Sequence, residues 1–117
     1  MNDKITYLET TKGNYPLIFT LNVMEAIQDK YESLDKWKKL VYVSNNKEPN
    51  IKALIFGMTQ MINEGIEITN EDSEIKLPAV NEKQVGRIIT EVGLAQASKT
   101  IGESVIKANE NTPEKNA

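Results

Sequence analysis

Residues 50–65, NIKALIFGMTQMINEG, decide the fold. Ile51, Leu54, Ile55, Met58, Met61 and Ile62 recur at intervals of three and four, which lines them along one side of an α-helix over three turns. Asn50 is a residue type that caps a helix by accepting a hydrogen bond from its first turn. Gly65 stands where a residue in the left-handed region would close the last turn.

Upstream of this helix, residues 44–50 are polar and include Pro49, which reads as a loop. Before the loop, Ser33 can cap a short helix carrying Leu34, Trp37, Leu40 and Val41 on its apolar side. Lys36 occupies the third position after Ser33, so no capping box forms there. An earlier helix has Thr20 or Asn22 as its cap and Val23, Met24, Ile27 and Tyr31 on one face. The first twenty residues read as a β-hairpin. Ile5, Tyr7 and Glu9 alternate with Thr6, Leu8 and Thr10, and Tyr15, Leu17 and Phe19 alternate with Ile18 and Thr20. Between the two runs, Gly13 and Asn14 are the residue types that tolerate positive φ in a tight turn. Pro16 lacks an amide donor, so its strand belongs at an edge or pairs only beyond that point. A two-stranded hairpin is marginal in water, so this one must pack on helices.

Downstream, the chain from Gly65 to Val80 is acidic and irregular, and Ile66, Ile68, Ile75 and Leu77 are spaced as in a short second hairpin. Asn81 and Gln84 then form a capping-box pair, with Val80 and Val85 at the two positions of a hydrophobic staple. Val85, Ile88, Ile89 and Val92 follow as a buried face. Gly93 ends or bends this helix, and Leu94, Ala97, Ile101, Val105 and Ala108 continue as a fifth, weaker amphipathic helix. Gly102 inside it costs roughly 1 kcal/mol relative to alanine. Residues 109–117 have no apolar anchor and are expected to be disordered. The fold class is therefore mainly α with a small N-terminal β-hairpin (α+β), a compact bundle of four to five helices. One globular domain covers residues 1–108, with the hairpin at about 4–20 and the helices at about 22–108.

A chain of 117 residues with 39% hydrophobic residues has material for one core and not for two. No apolar run approaches the roughly 20 residues needed to span a bilayer. Met1-Asn2-Asp3-Lys4 opens no apolar signal segment, and the expectation is a soluble cytoplasmic protein. Net charge is −3 and Arg87 is the only arginine, which argues against a nucleic-acid partner. Lys36, Lys38 and Lys39 are diluted by Glu32 and Asp35 and read as a solvated helix face. Cysteine and histidine are absent, which removes disulfides, thiolate nucleophiles, nearly all zinc sites and the commonest general base. Asn70, Asp72 and Glu74 have the alternate spacing of calcium-loop ligands. The sixth position is Ile75 rather than glycine, however, and the twelfth is Asn81, so calcium is rejected. No carboxylate pair sits in an apolar context suited to glycoside chemistry. The glycines at 13, 57, 65, 86, 93 and 102 form no phosphate-cradling motif, and the serines have no histidine to activate them. No catalytic, cofactor-binding or metal-binding residue is expected, and the chain is read as a non-enzyme that takes no cofactor and binds other proteins. Trp37, Met24, Met58 and Met61 lie on apolar helix faces and read as core filling, with an adaptable binding groove as the alternative. Gly57 and Gly86 read as points of close packing, within the fold or across a self-association contact.

Four phrases go further: LIFTLNVMEAIQ at 17–28, YESLDKW at 31–37, MINEG at 61–65 and NEKQVG at 81–86. Together with the order of the elements, they resemble the short tail assembly chaperones of siphophages and prophages of Gram-positive bacteria, over residues 4 to 108. The resemblance implies a protein of the bacterial cytoplasm, made during tail assembly and absent from the finished particle. It would coat the tape measure protein and recruit tail tube protein subunits. It also implies a longer frameshifted form, for which the polar tail after Ala108 is a natural junction. The family offers no residue-level site, so the partner surface is assigned to the short helix, at Leu34, Trp37, Leu40 and Val41. The alternatives are a small structural or adaptor component retained in the particle and, third, a nucleic-acid-binding regulator.

Overall fold

The computed structural model describes residues 4–43 and 47–109. It is mainly α with a small N-terminal hairpin: β1 (Thr6–Thr10), β2 (Gly13–Leu17), α1 (Leu21–Tyr31), α2 (Leu34–Val41), α3 (Ile51–Glu71), α4 (Glu82–Val92) and α5 (Leu94–Asn109). The expected tail lies outside the described residues from Glu110 onward, and Asn109 is the last residue of α5. Loop residues 44–46 are likewise outside them.

The hairpin pairs antiparallel, from Thr6 opposite Leu17 to Thr10 opposite Gly13. Its turn is Thr11-Lys12, two residues earlier than the glycine and asparagine suggested. Gly13 opens β2 with φ of +132°, a conformation that favours glycine, and Asn14 pairs within the strand opposite Glu9. Pro16 sits opposite Tyr7 in a sheet of only two strands, so it occupies an edge strand as expected. The edge of β2 is covered by α3. Ile18 N–H donates to the Met61 carbonyl at 3.3 Å, and the Pro16 carbonyl presses on Gly65.

That contact corrects the expected end of α3. A Cβ at Gly65 would stand 2.6 Å from the Pro16 oxygen, so the glycine is needed for close approach and not for a left-handed turn. The helix runs two further turns to Glu71. The second hairpin is absent for the same reason: Ile66 and Ile68 are helical, and Ile66 is buried. The chain from Leu77 to Val80 instead lies along α3, clamped by two asparagines. Asn63 accepts from Val80 N–H at 2.8 Å and donates to its carbonyl at 2.9 Å. Asn70 does the same with Leu77, at 2.8 and 3.0 Å. Seven helical residues rise about 10.5 Å and three extended residues about 10 Å, so the two clamps are in register and the segment runs antiparallel to α3.

The caps follow the sequence. Thr20, Ser33, Asn50 and Asn81 each accept from the backbone N–H three residues on, and Asn81 and Gln84 complete a capping box. Gly93 closes α4 with φ of +95°. One core joins Leu8 and Leu17 of the hairpin to Val23, Ile27, Trp37, Leu54, Met58, Met61, Ile62, Val85, Ile89 and Ile101 of the helices. The hairpin is also pinned by polar contacts. Thr11 N–H donates to the Glu91 carboxylate at 2.7 Å, and the Lys4 ammonium donates to the Lys107 carbonyl at 2.6 Å. Among the described residues, no helix is long and apolar enough to cross a membrane.

Candidate partner-binding surface

The short helix α2 is the first candidate, and the structure divides its four residues. Trp37 and Val41 are 0% and 1% exposed, so they belong to the core and offer nothing to a partner. The Trp37 indole lies against Gly57 and donates its Nε1–H to the Ala53 carbonyl at 2.9 Å. Tyr42 stacks edge-on against it, with ring centroids 6.3 Å apart. Burial holds the Tyr42 phenol above the ordinary tyrosine value. Met58 and Met61 are also core, and Met24 is half-buried. Leu34 and Leu40 are half-buried at the edge of that core.

Leu40 does reach a surface hollow of about 370 Å³, shared with Lys30, Tyr31, Glu32, Lys36 and Lys39. Its charges are largely matched by near neighbours in the chain: Lys36 pairs with Glu32, and Lys39 lies 3.8 Å from Asp35. The pairing with Lys36 holds the Glu32 carboxyl below its usual value. The Lys30 ammonium sits 5.3 Å from the Phe56 ring centroid, and Tyr31 meets the same ring edge-on. Burial raises the Tyr31 phenol above its ordinary value, and the negative charge of Glu82 adds to the effect.

Beyond Phe56 and Glu82 the surface opens into a larger groove of about 650 Å³ between the start of α3 and the outer side of α4. Ile51 and Ile55 form one wall, Gly86 and Ile89 the floor, and Leu94 closes the far end. Glu82, Lys83, Arg87 and Thr90 stand along the α4 rim. Ile51 and Leu94 are exposed large hydrophobics, at 46% and 40%. Gly86 was expected to mark close packing, yet a Cβ there would meet only the Ile55 methyl, at 3.5 Å. Its missing side chain leaves the floor open. The side chains of Lys83 and Arg87 make no ion pair or hydrogen bond with any described residue.

No family model, curated protein or solved structure matches this chain.

The groove was legible only in part. Ile51 and Ile55 carry the right chemistry, but they belong to the stripe that reads as wholly buried. Gly86 one turn before Thr90, on a helix otherwise free of glycine, is the signal that was available. In the acidic stretch, Glu64 accepts from the Thr20 hydroxyl at 2.7 Å and the Asn22 amide at 3.1 Å, which ties the start of α1 to α3. Asn70, first in the calcium-like spacing, has both side-chain atoms engaged with Leu77. Among the described residues, no group of acidic side chains is arranged to hold a metal ion.

Proposed function

We propose that this chain is a non-enzymatic tail assembly chaperone, acting in the bacterial cytoplasm on a phage tape measure protein and on tail tube subunits. The observation that carries the reading is the open apolar groove between α3 and α4, bounded by charged side chains. A tape measure is a long, helix-rich, apolar rod, and a groove of this kind receives the apolar side of a helix. A net charge of −3 helps keep such a complex dispersed.

The four phrases behind the resemblance also interlock. Those at 17–28 and 61–65 meet through the Ile18–Met61 and Thr20–Glu64 hydrogen bonds. The phrase at 31–37 ends on Trp37, seated on α3. The phrase at 81–86 forms the capping box and ends at Gly86, in the groove floor.

The test is an affinity pull-down of the tagged chain from a lysate of the producing host after prophage induction, with mass spectrometry of the captured proteins. The reading expects a tape measure protein or tail tube subunit in the eluate and the chain missing from purified particles. Capture of neither, with tail proteins plainly expressed, would overturn it. Recovery of the chain from mature particles would make it a structural or adaptor component instead.

A further inference from the structure

We infer that the groove between α3 and α4 takes an acidic amphipathic helix of a partner protein, about three turns long, with a carboxylate that meets Arg87. The inference rests on the reading of the chain as a protein binder and names the surface and the chemistry of what it holds.

Three features choose this occupant. The groove runs along α4 from Glu82 to Gly93, eleven helical steps, or about 16 Å of rise. That length matches three turns of a helix laid alongside. Along the middle of the groove, Ile55, Gly86 and Ile89 lie in helix interiors, where the backbone groups bond within the helix. An extended peptide would bury its amides there without partners, whereas a helix satisfies its own. Finally, the rim is basic on a chain that is acidic overall. Lys83 and Arg87 lie four residues apart on the same side of α4 and have no ionic partner among the described residues. The lysines around the neighbouring hollow are mostly matched by Glu32 and Asp35. A guanidinium pairs with a carboxylate through two parallel hydrogen bonds and fixes its orientation, which a lysine does not do. The only arginine of the chain therefore stands where it would set the register of an apolar stripe flanked by aspartate or glutamate. Glu82 offsets the neighbouring Lys83 at one end of the rim, so the acidic flank of the partner belongs beside Arg87.

The probe is a pair of synthetic 18-residue helical peptides with leucine at i, i+3, i+4 and i+7. One is flanked by glutamate and the other by lysine, and both are titrated into the full chain by fluorescence anisotropy. The glutamate peptide is expected to bind and the lysine peptide to bind roughly tenfold more weakly, a difference of about 1.4 kcal/mol. Arg87→Glu should reverse that order. Gly86→Leu, which fills the floor, should abolish binding of both with the circular dichroism unchanged. Equal binding of the two peptides, or binding indifferent to Arg87→Glu and Gly86→Leu, overturns the inference. A self-associated chain that Gly86→Leu dissociates in sedimentation would also overturn it, by assigning the groove to a second copy. The pull-down separates this inference from the chaperone reading. Tail proteins captured equally by wild type and Arg87→Glu leave the chaperone and remove the groove. Peptide binding through the groove with no tail protein captured does the reverse.

Discussion

Alanine in place of Gly57 tests how the core is built. In an open helical position this change stabilises by about 1 kcal/mol, because alanine has the higher helix propensity. At Gly57 the new Cβ would overlap Trp37 Cζ2 and lie 2.9 Å from its Cε2, and the indole cannot swing outward because it is fully buried. Forcing a methyl into a packed core costs about 1–3 kcal/mol. Moving the ring also strands its N–H, which now donates to Ala53, at about 1–3 kcal/mol more. The net expectation is a loss of about 2–4 kcal/mol, with a fall in Tm on the order of 10 °C. Gly102→Ala is the control, since the nearest atom to its Cβ is the Tyr42 hydroxyl at 4.0 Å, and it should gain up to about 1 kcal/mol. Urea unfolding followed by circular dichroism gives the stabilities. Trp37 is the only tryptophan, so its emission reports the displaced ring directly. If Gly57→Ala were as stable as wild type with unshifted emission, the indole would not be seated on Gly57 and the account of α2 would fail.

Three further outcomes are expected. Glu32 caps α1 with φ of +75°, unusual for a residue with a side chain. Glu32→Gly should therefore stabilise by about 1 kcal/mol in the same urea assay, since the exposed pair with Lys36 contributes little. Asn63→Ala removes both clamp bonds to Val80 and should cost about 1–2 kcal/mol while accelerating hydrogen exchange at the Val80 amide; an unchanged exchange rate there would mean that the clamp does not hold the segment. The Tyr31 and Tyr42 phenols are raised above 10.0 in the folded chain, so the unfolded chain ionises first. The stability they confer is complete below pH 10 and is lost as pH rises through their folded values. Unfolding midpoints measured against pH should fall in that window, and less steeply in Tyr42→Phe.

The fold was legible where local chemistry and tertiary structure agree. The caps at Thr20, Ser33, Asn50 and Asn81 use side-chain oxygens three residues from their targets, so the sequence carries the whole interaction. Gly65 failed as a stop signal because its role depends on Pro16, nearly fifty residues away, whose carbonyl reaches α3 only once the hairpin has docked. The segment after α3 failed for a related reason. Ile66, Ile68, Ile75 and Leu77 alternate like strands, but the first two lie in α3, and the partners of Leu77 and Val80 are asparagine side chains on that helix. No period in the sequence encodes that pairing.

The partner surface inverts the usual inference from an apolar stripe. Trp37 reads first as core filling and, with Val41, as a partner surface on a short helix weakly specified by the rest; Gly57 provides a seat for the indole and draws that face into the core. Ile51 and Leu94 looked buried because they continue the stripes of α3 and α5, yet each begins its helix, where no neighbour extends far enough to cover it. Both outcomes have one source. Periodicity assigns a residue to a face of its own helix, whereas exposure depends on where the neighbouring helix stops. In this chain two glycines act in opposite ways on that boundary. Gly57 admits a ring and closes one apolar surface. At Gly86 a Cβ would touch only the Ile55 methyl among the described residues, and the other surface stays open beside Arg87.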